Sequence, residues 1–271
     1  MTTTPGPEEL VSQLRARGHL SEAWFDAFVQ VRREDYIPDR IWVPTDERYL
    51  CLDRDEDPAR WLSLVYDDVA LVTQVEDGHD RVALVPSSSS SMPRFVAGML
   101  DALQVTEGMT VLEIGTGTGH NSALLSHRLG DRQVTSIEID AALADSARER
   151  LAKTGRHPRI VTGDGTALVP QLRPVERTIV TCALDHVPYT LISQTRSEGR
   201  IVLPWGTGLY NGVLVALDVH PDASASGPVL GDCAFMWNRV RAVHRDVMAA
   251  ICQRGSGRSA PAHRGSTAGA G

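Results

Sequence analysis

Apolar residues along the middle of the chain switch repeatedly between the spacing of a strand and that of a helix. Short apolar runs predict five β-strands, near residues 109–114, 133–138, 158–162, 177–182 and 200–204. Residues with helical spacing predict helices between them, near 121–130, 141–153 and 189–196. Residues 213–219 and the run around Phe235 predict two closing strands, in which antiparallel pairing is open. The pattern therefore predicts an α/β fold with a mainly parallel, seven-stranded sheet and helices on both faces.

The first 92 residues have a different pattern, in which helical spacing comes first and a loop-rich stretch follows. One apolar face predicts a helix over residues 8–17, and Ser21 is a capping residue for a second helix that runs to about Val31. Two later apolar runs predict short strands, near residues 62–65 and 82–85. A further amphipathic helix is predicted from Pro93. This part of the chain is therefore predicted to be small and mainly helical.

These patterns divide the chain into four parts. Residues 1–92 form the N-terminal helical region, and residues 93–218 form a Rossmann-like core. Residues 219–252 form a C-terminal extension, in which residues 240–252 predict one more helix. Residues 253–271 are rich in Gly, Ser and Ala and contain no acidic residue, so this tail is predicted to be disordered.

Composition narrows the class of protein. The chain has 271 residues and 42% hydrophobic content, which is enough for a substantial core, and its net charge of −7 argues against a nucleic-acid partner. No apolar run approaches the roughly 20 residues that span a bilayer, and the N-terminus lacks a secretory pattern, so a cytoplasmic protein without a membrane partner is expected. The cysteines and histidines have no metal-ligand spacing, so reduced thiols and no metal are expected. We expect a monomer.

The run Val111–His120 contains the strongest chemical signal. An apolar strand ends there in Gly115, Gly117 and Gly119, and a helix begins near Asn121. Glycines allow a tight turn, and the first N–H groups of a helix are free to bind a ligand. Because His120 follows Gly119, the spacing is Gly-x-Gly-x-Gly, so the dinucleotide fingerprint is incomplete and a nicotinamide enzyme is the weaker interpretation.

Two acidic residues extend this signal. Glu138 ends the second core strand, where a carboxylate is suited to ribose hydroxyls, and Asp164 follows the third strand, within reach of an adenine amino group. Strand, glycine turn and acids in this order resemble S-adenosylmethionine-dependent methyltransferases of class I. The predicted cofactor is S-adenosyl-L-methionine, with S-adenosyl-L-homocysteine as its product. The predicted cofactor residues are Glu113, Gly115, Thr116, Gly117, Gly119, His120, Asn121, Glu138, Ile139, Gly163, Asp164 and Gly165.

A run of five serines, residues 87–91, precedes the helix that leads into the glycine strand. Such a run is typical of a linker, but this position is unusual for one. Here the chain resembles the protein-L-isoaspartate O-methyltransferase family and its motif Thr-Ile-Ser-x-Pro-x-Met. The matching positions are Ser89, Ser90, Ser91, Pro93 and Phe95, of which Ser91 and Pro93 are identical. Residues 31–38, 66–71, 163–165, 187–194 and 199–206 also resemble family segments.

The resemblance implies methyl transfer to the carboxylate of an aspartyl or isoaspartyl residue in a peptide or protein. A carboxylate is already a nucleophile near neutral pH, so the enzyme must desolvate and align it rather than deprotonate it. We expect Ser91 to act as the catalytic residue and Ser89, Ser90, Ser91 and Met92 to bind the substrate. The alternative is that Ser91 only caps the following helix.

Departures from the family motif bear on the substrate. Serines replace Thr and Ile, His120 replaces an aromatic residue, and the chain extends past Val219. We expect a peptide-tailoring member of the kind found with lanthipeptides and graspetides, whose ester cyclises to an aspartimide, a succinimide that either persists or hydrolyses to isoaspartate. Its partner would be a precursor peptide, in some cases macrocyclised. The alternatives are general isoaspartyl repair, a small-molecule methyltransferase with Asp185 and His186 as base, and a non-catalytic peptide-binding module.

Overall fold

The computed structural model describes residues 5–45, 49–78, 85–169, 171–207 and 212–239. The helices in these ranges are α1 (Pro7–Ala16), α2 (Glu22–Gln30), α3 (Pro58–Val65), α4 (Pro93–Leu103), α5 (His120–Leu129), α6 (Ala141–Lys153) and α7 (Tyr189–Gln194). The strands are β1 (Arg40–Pro44), β2 (Tyr49–Asp53), β3 (Leu71–Val75), β4 (Pro86–Ser90), β5 (Val111–Ile114), β6 (Val134–Glu138), β7 (Arg159–Thr162), β8 (Val175–Val180), β9 (Thr195–Trp205), β10 (Val213–Val219), β11 (Ala225–Ser226) and β12 (Val229–Asp232).

The main sheet has the order β11-β10-β9-β8-β5-β6-β7, with β12 as an eighth strand beside β10. The five neighbouring strands β7, β6, β5, β8 and β9 pair in parallel. Strand β10, in contrast, is antiparallel to β9, β11 and β12. The predicted mainly parallel α/β sheet is confirmed, and the antiparallel closing strands add one strand beyond the seven expected. Because β5 is central, the turn that follows it lies at the middle of the sheet's carboxyl edge.

Helices cover both faces of this sheet. Val111 packs in a cluster with Leu100 of α4 and Leu124 of α5, whereas its neighbour Leu112 packs with Leu191 of α7. Successive residues of a strand point to opposite faces, so the two clusters are the two cores of a three-layer structure. The core strands read as nearly continuous apolar runs because both of their faces are buried.

The N-terminal region contains more strand than its sequence pattern indicated. Its four strands form a separate antiparallel sheet in the order β2-β1-β3-β4. The prediction of a strand over residues 62–65 is wrong, because this run is the last part of α3. The Asp57 carboxylate accepts a hydrogen bond from the Arg60 N–H at 3.0 Å, Pro58 begins the helix, and Trp61 and Val65 are buried one turn apart. The predicted strand at residues 82–85 lies outside the described residues except for Val85.

The serine run is itself most of a strand. Residues 86–90 form β4, which pairs antiparallel with β3. The run is therefore not a linker, in agreement with its unusual position, but its strand was not predicted, because the strand is held by its backbone ladder and not by apolar side chains.

The C-terminal closing strand also differs from the prediction. The run around Phe235 is not a strand. The strand that closes the sheet is β12, which begins at Val229, six residues before Phe235. Residues 235–238 instead run beside Ala183: the Ala183 N–H donates to the Met236 carbonyl at 2.8 Å, and the Asn238 N–H donates to the Ala183 carbonyl at 3.0 Å. The Phe235 ring contacts Phe95 of α4 with centroids 6.2 Å apart. The predicted helix at 240–252 and tail at 253–271 lie outside the described residues.

None of the described helices combines the length and the apolar character needed to cross a membrane.

Candidate active site

The glycine turn between β5 and α5 needs glycine at three positions. Gly115, Gly117 and Gly119 have φ values of +94°, +53° and +88°, a region that side chains with a Cβ rarely adopt. Close packing adds a second reason at Gly115, because a Cβ there would lie 2.5 Å from Thr181 Oγ1. The Thr181 hydroxyl donates to the Gly115 carbonyl at 2.7 Å, so this side of the turn is filled by β8's following residue.

Glu138 closes the opposite side of the turn from the end of β6. One carboxylate oxygen accepts the Gly117 N–H at 2.8 Å, and the other accepts the Asp140 N–H at 3.1 Å. Glu138 is 6% exposed. A carboxylate has about four acceptor positions, so each oxygen keeps one for a ligand hydroxyl. This geometry fits the predicted ribose anchor.

The segment after β7 lies against the same edge of the sheet. The Gly163 N–H donates to the Glu138 carbonyl at 2.8 Å, which ties the segment to the end of β6. One Asp164 oxygen accepts the Thr166 N–H at 2.8 Å and the Thr166 hydroxyl at 2.7 Å, so the other oxygen is the one available to a ligand. Gly165 packs so closely on Ile114 that a Cβ would collide with the Ile114 side chain.

Ile139 follows Glu138 and is 39% exposed, unlike the buried residues of β6 before it. An exposed apolar side chain next to the ribose anchor is suited to contact a flat heterocycle. The structure therefore brings Ile139, Glu138 and the Gly163–Gly165 segment to one edge of the sheet, as the sequence predicted.

Glu113 and Asn121 act on each other. Glu113 is fully buried, and its carboxylate accepts hydrogen bonds from the Asn121 side-chain amide at 2.8 Å and from the Ser122 hydroxyl. Burial raises the pKa of Glu113, while the hydrogen bond from Ser122 opposes this shift. Because Glu113 is fully buried and both of its oxygens accept hydrogen bonds from α5, it fixes the start of that helix. The Asn121 Oδ1 atom is buried and has no partner in the described residues.

Thr116 has a similar supporting position within the glycine turn. It is 4% exposed, and its hydroxyl shares a 2.6 Å hydrogen bond with the Ser136 hydroxyl of β6. Its side chain therefore joins β5's turn to β6, and only its backbone remains for a ligand.

The His120 ring is directed toward the N-terminal region. It is 7% exposed and contacts the Tyr36 ring, with centroids 5.6 Å apart. Burial and then the nearby charge of Arg33 lower the pKa of His120 to about 3, against a hydrogen bond to Val31 that raises it. The imidazole is therefore neutral near pH 7 and packs against Tyr36, while the His120 backbone N–H donates to the Thr118 hydroxyl at 3.4 Å.

The serine strand β4 lies directly against the glycine turn. A Cβ added at Gly117 would be 3.7 Å from the Ser89 carbonyl oxygen and 3.9 Å from Ser88 Oγ. Ser88 is buried, whereas Ser89 is half-buried. The structure thus brings the predicted substrate residues and the predicted cofactor residues together across one crevice.

Ser91 and Met92 lie at the junction of β4 and α4. The alternative that Ser91 caps α4 is wrong: the N-cap residue is Met92, and the cap acceptor is the Asp68 carboxylate, which accepts the Arg94 N–H at 2.9 Å. Asp68 also receives the Arg94 guanidinium at 3.2 Å. The half-buried Ser91 hydroxyl makes no hydrogen bond in the part of the chain that the structure describes, which leaves it available to a substrate.

The buried Arg33 side chain holds the backbone at this junction. Its buried guanidinium donates to the backbone carbonyls of Val65 at 2.9 Å, Val69 at 3.1 Å and Ser91 at 3.1 Å. It also lies 3.4 Å from both the carbonyl and the hydroxyl of Ser90. Burial lowers the pKa of Arg33 to about 10, and Asp68 opposes this shift, so the side chain is charged near pH 7. The Ser90 hydroxyl therefore belongs to this support.

Asp185 and His186 form a local pair, with Oδ1 and Nδ1 2.5 Å apart. The His186 side chain is 54% exposed and the Asp185 side chain is 21% exposed. The Asp185 carbonyl also accepts the Trp205 indole N–H at 3.2 Å. In the described ranges no group of His, Cys, Asp and Glu has the arrangement of a metal site.

Sequence patterns did not reveal Gln74, Asp68 or Thr181 as parts of the site. All three contact residues that are far away in the chain: Thr181, for example, fills the space beside Gly115. For Asp68 the sequence offered one indication, its place in a segment that resembles the family, but this segment does not show that Asp68 bonds to Arg94.

Comparison with known proteins gives a consistent result. The family model described as protein-L-isoaspartate(D-aspartate) O-methyltransferase matches residues 6–238. A protein-L-isoaspartate O-methyltransferase of Thermotoga maritima is 35% identical over 145 residues, which are 53% of this chain and 44% of the relative. The chain thus spans about half of that relative's length. One from Bradyrhizobium sp. is 32% identical over 209 residues, covering 76% of this chain and 82% of the relative.

Solved structures agree with this fold. A protein-L-isoaspartate O-methyltransferase structure has a TM-score of 0.66 and 28% identity, and the match covers 86% of this chain and 65% of that chain. A second such structure, from Plasmodium falciparum in complex with S-adenosyl-L-homocysteine, has a TM-score of 0.66 over 87% of this chain and 99% of that chain. At 15% identity, this second likeness concerns the fold alone.

Proposed function

Because the chain belongs to the protein-L-isoaspartate(D-aspartate) O-methyltransferase family, we propose that it methylates the carboxylate of an aspartyl or isoaspartyl residue in a peptide or protein. The methyl donor is S-adenosyl-L-methionine, and the products are a methyl ester and S-adenosyl-L-homocysteine. The observation that carries this proposal is the contact of the serine strand with the glycine turn, with Ser89 O 3.7 Å and Ser88 Oγ 3.9 Å from a Cβ at Gly117.

The residues at the crevice fit the donor. Glu138 keeps acceptor positions for two ribose hydroxyls, and one Asp164 oxygen remains for an amino group. Asn121 supports the turn instead, because its side-chain amide donates to the buried Glu113 carboxylate at 2.8 Å. When bound, the cofactor supplies an electrophilic methyl group on a positively charged sulfur.

The chain's own task is to hold the acceptor carboxylate and to exclude water. The unbonded Ser91 hydroxyl donates to one carboxylate oxygen, while Ser89 and Met92 line the entrance and Ser90 stays bonded to Arg33. Arg33 and Asp68 keep the Ser91 segment rigid, because they hold its backbone and the following helix start. A carboxylate is ionised near pH 7, so this assignment needs no general base.

The first experiment measures methyl transfer to a synthetic isoaspartyl peptide by mass spectrometry. Ser91→Ala is expected to leave the affinity for S-adenosyl-L-homocysteine unchanged and to reduce kcat/KM by about 10- to 100-fold, because one hydrogen bond to a charged group is worth about 1.5–3 kcal/mol. Ser63→Ala, an exposed position on α3, is the matched control. Unchanged transfer in Ser91→Ala would remove Ser91 from the mechanism.

The same measurements separate the alternatives. Cofactor binding without transfer to any peptide favours a small-molecule methyltransferase, in which Asp185→Asn would then abolish activity. No uptake of the cofactor in calorimetry favours a non-catalytic peptide-binding module.

The finer assignment concerns the peptide. We infer a ribosomally made peptide, in some cases macrocyclised, as the acceptor, on the ground that the small polar residue Ser89 replaces Thr beside the glycine turn. The second replacement, Ser90 for Ile, lies in the buried support around Arg33 and does not bear on the substrate. Its ester loses methanol when the next backbone nitrogen attacks the carbonyl carbon, which gives an aspartimide that either persists or hydrolyses to isoaspartate. General repair is the competing assignment, and the names of the relatives support it at least as well.

A competition experiment decides between them. An isoaspartyl peptide and an aspartyl peptide in a macrocycle are supplied together with the enzyme and cofactor, and each methyl ester or succinimide is quantified. Preference for the macrocyclic aspartate supports tailoring. Efficient turnover of the generic isoaspartyl peptide alone supports repair.

A further inference from the structure

One side-chain amide joins the two halves of the crevice. Gln74 lies on β3, and its Oε1 accepts a hydrogen bond from the Ser87 hydroxyl of β4 at 2.9 Å. Its Nε2 donates to Asp140 Oδ2 at 3.0 Å. Gln74 and Asp140 are 66 residues apart in the chain. Gln74 lies in the four-stranded N-terminal sheet, whereas Asp140 is the N-cap residue of α6, two residues after β6 of the main sheet. A single residue therefore bonds to both the substrate-side strand and the loop that carries the ribose anchor.

The two ends of this bridge lie next to functional groups. Asp140 donates its N–H to Glu138 Oε1 at 3.1 Å, and its other oxygen accepts the N–H groups of Ala142 and Leu143 at the start of α6. Any rearrangement of Glu138 on ligand binding therefore reaches Asp140 directly. At the other end, Ser87 precedes Ser88 and Ser89, which lie against Gly117.

The backbone pairing around Gln74 is irregular, which allows the serine strand β4 to shift when a ligand binds. The β3–β4 pairing shifts register between Val72 and Gln74 and again between Gln74 and Val75. Bulges of this kind interrupt the ladder hydrogen bonds. The position of the serine strand there depends more on side-chain bonds, and the Gln74 bridge supplies two of them.

We propose that Gln74 is a positioning residue that couples occupancy of the cofactor site to ordering of the serine strand. The inference rests on the proposed function, since it takes S-adenosyl-L-homocysteine as the ligand of Glu138. Binding that fixes the Glu138–Asp140 loop also fixes Gln74 and Ser87, and by reciprocity an ordered serine strand strengthens cofactor binding.

The test measures backbone hydrogen exchange by mass spectrometry with and without S-adenosyl-L-homocysteine. In the wild type, the ligand is expected to slow exchange at residues 138–143 and, about fivefold or more, at residues 86–91. In Gln74→Leu, protection at 138–143 remains and protection at 86–91 is lost. Gln30→Leu, an exposed position at the end of α2, is the matched control and behaves as the wild type.

A swap of donor and acceptor tests the bridge itself. Gln74→Glu alone places two carboxylates opposite each other and uncouples the strand. Combined with Asp140→Asn, the new amide at position 140 donates to the new carboxylate at position 74, while its oxygen still caps α6. The double variant is expected to restore protection at residues 86–91.

The outcomes are distinguishable. Protection at 86–91 that persists in Gln74→Leu means that the ligand orders the strand directly, and it overturns the proposal. Protection at 138–143 alone in the wild type also overturns it, while the proposed function stands. Absence of protection at 138–143 in the wild type overturns both.

Discussion

Replacing Glu138 with glutamine is expected to abolish most cofactor affinity without unfolding the protein. The substitution keeps the shape of the side chain, but one acceptor oxygen becomes an NH2 group. Both oxygens of Glu138 now face backbone N–H groups, from Gly117 at 2.8 Å and from Asp140 at 3.1 Å. Whichever way the amide turns, a donor meets a donor, so one of the two loop hydrogen bonds is lost.

The magnitude follows from counting these bonds. The variant loses one hydrogen bond to a ribose hydroxyl that was strengthened by charge, worth about 1.5–3 kcal/mol, and leaves one backbone N–H poorly bonded at a cost of about 1–3 kcal/mol. Only the first cost applies to binding, and about 1.5–3 kcal/mol corresponds to a loss of roughly 10- to 150-fold in affinity. The poorly bonded N–H is present in the free variant as well, so its cost lowers the unfolding free energy instead.

Isothermal calorimetry with S-adenosyl-L-homocysteine measures this loss directly. Far-ultraviolet circular dichroism checks that the variant is folded, and Glu107→Gln, at an exposed loop position, serves as the matched control. A folded Glu138→Gln protein that binds within about threefold of the wild type would refute the assignment of Glu138 as the ribose anchor, together with the hydrogen-bond count.

Three further substitutions test other parts of the structure. The pKa of His120 is about 3 in the folded protein and about 6.5 in the unfolded chain, so acidification to pH 5 is expected to cost about 2 kcal/mol of unfolding free energy through this residue. Because a depressed histidine pKa removes stability as pH falls below 6.5, His120→Phe should lose less stability than the wild type between pH 7 and pH 5 in urea titrations. Asp68→Asn should keep the acceptor for the Arg94 N–H but lose the negative charge, which lowers the unfolding free energy by about 1 kcal/mol. It should also reduce kcat more than cofactor affinity, and an unchanged kcat would argue against a positioning role for Asp68. Gly165→Ala should lower the unfolding free energy by about 1–3 kcal/mol in the same titrations, because its Cβ collides with Ile114, and an unchanged midpoint would contradict the close packing.

Local patterns could predict the parallel core because its signals are local. Each strand was an apolar run, and Gly115 and Glu138 stood where the order of strand, turn and acid placed them. The serine strand could not be predicted in this way, since its composition favours a linker and its place depends on pairing with β3. The run at 62–65 was too short to separate helix from strand without weighing the Asp57 cap.

The supporting contacts around the crevice escaped prediction for a related reason. Arg33 reaches the Ser91 carbonyl across 58 residues of sequence, and Asp68 reaches Arg94 across 26. No periodicity records such pairs. A buried polar group needs hydrogen-bond partners, so the burial of Arg33 requires acceptors around its guanidinium. Only the folded structure identifies these acceptors as the carbonyls of Val65, Val69 and Ser91.

The chemistry of the acceptor explains why the ionisable groups of the site serve as supports. Glu113 has both oxygens bonded within the start of α5, and His120 is neutral and packed on Tyr36. Neither group is placed to remove a proton from a substrate. A methyl acceptor that is already an anion requires no such step, whereas it does require a fixed donor such as Ser91 and a dry surface. An alcohol or amine acceptor would instead require a base, and in the Asp185–His186 pair the imidazole side chain is 54% exposed. The arrangement of these groups therefore favours a carboxylate acceptor on chemical grounds that are independent of the family match.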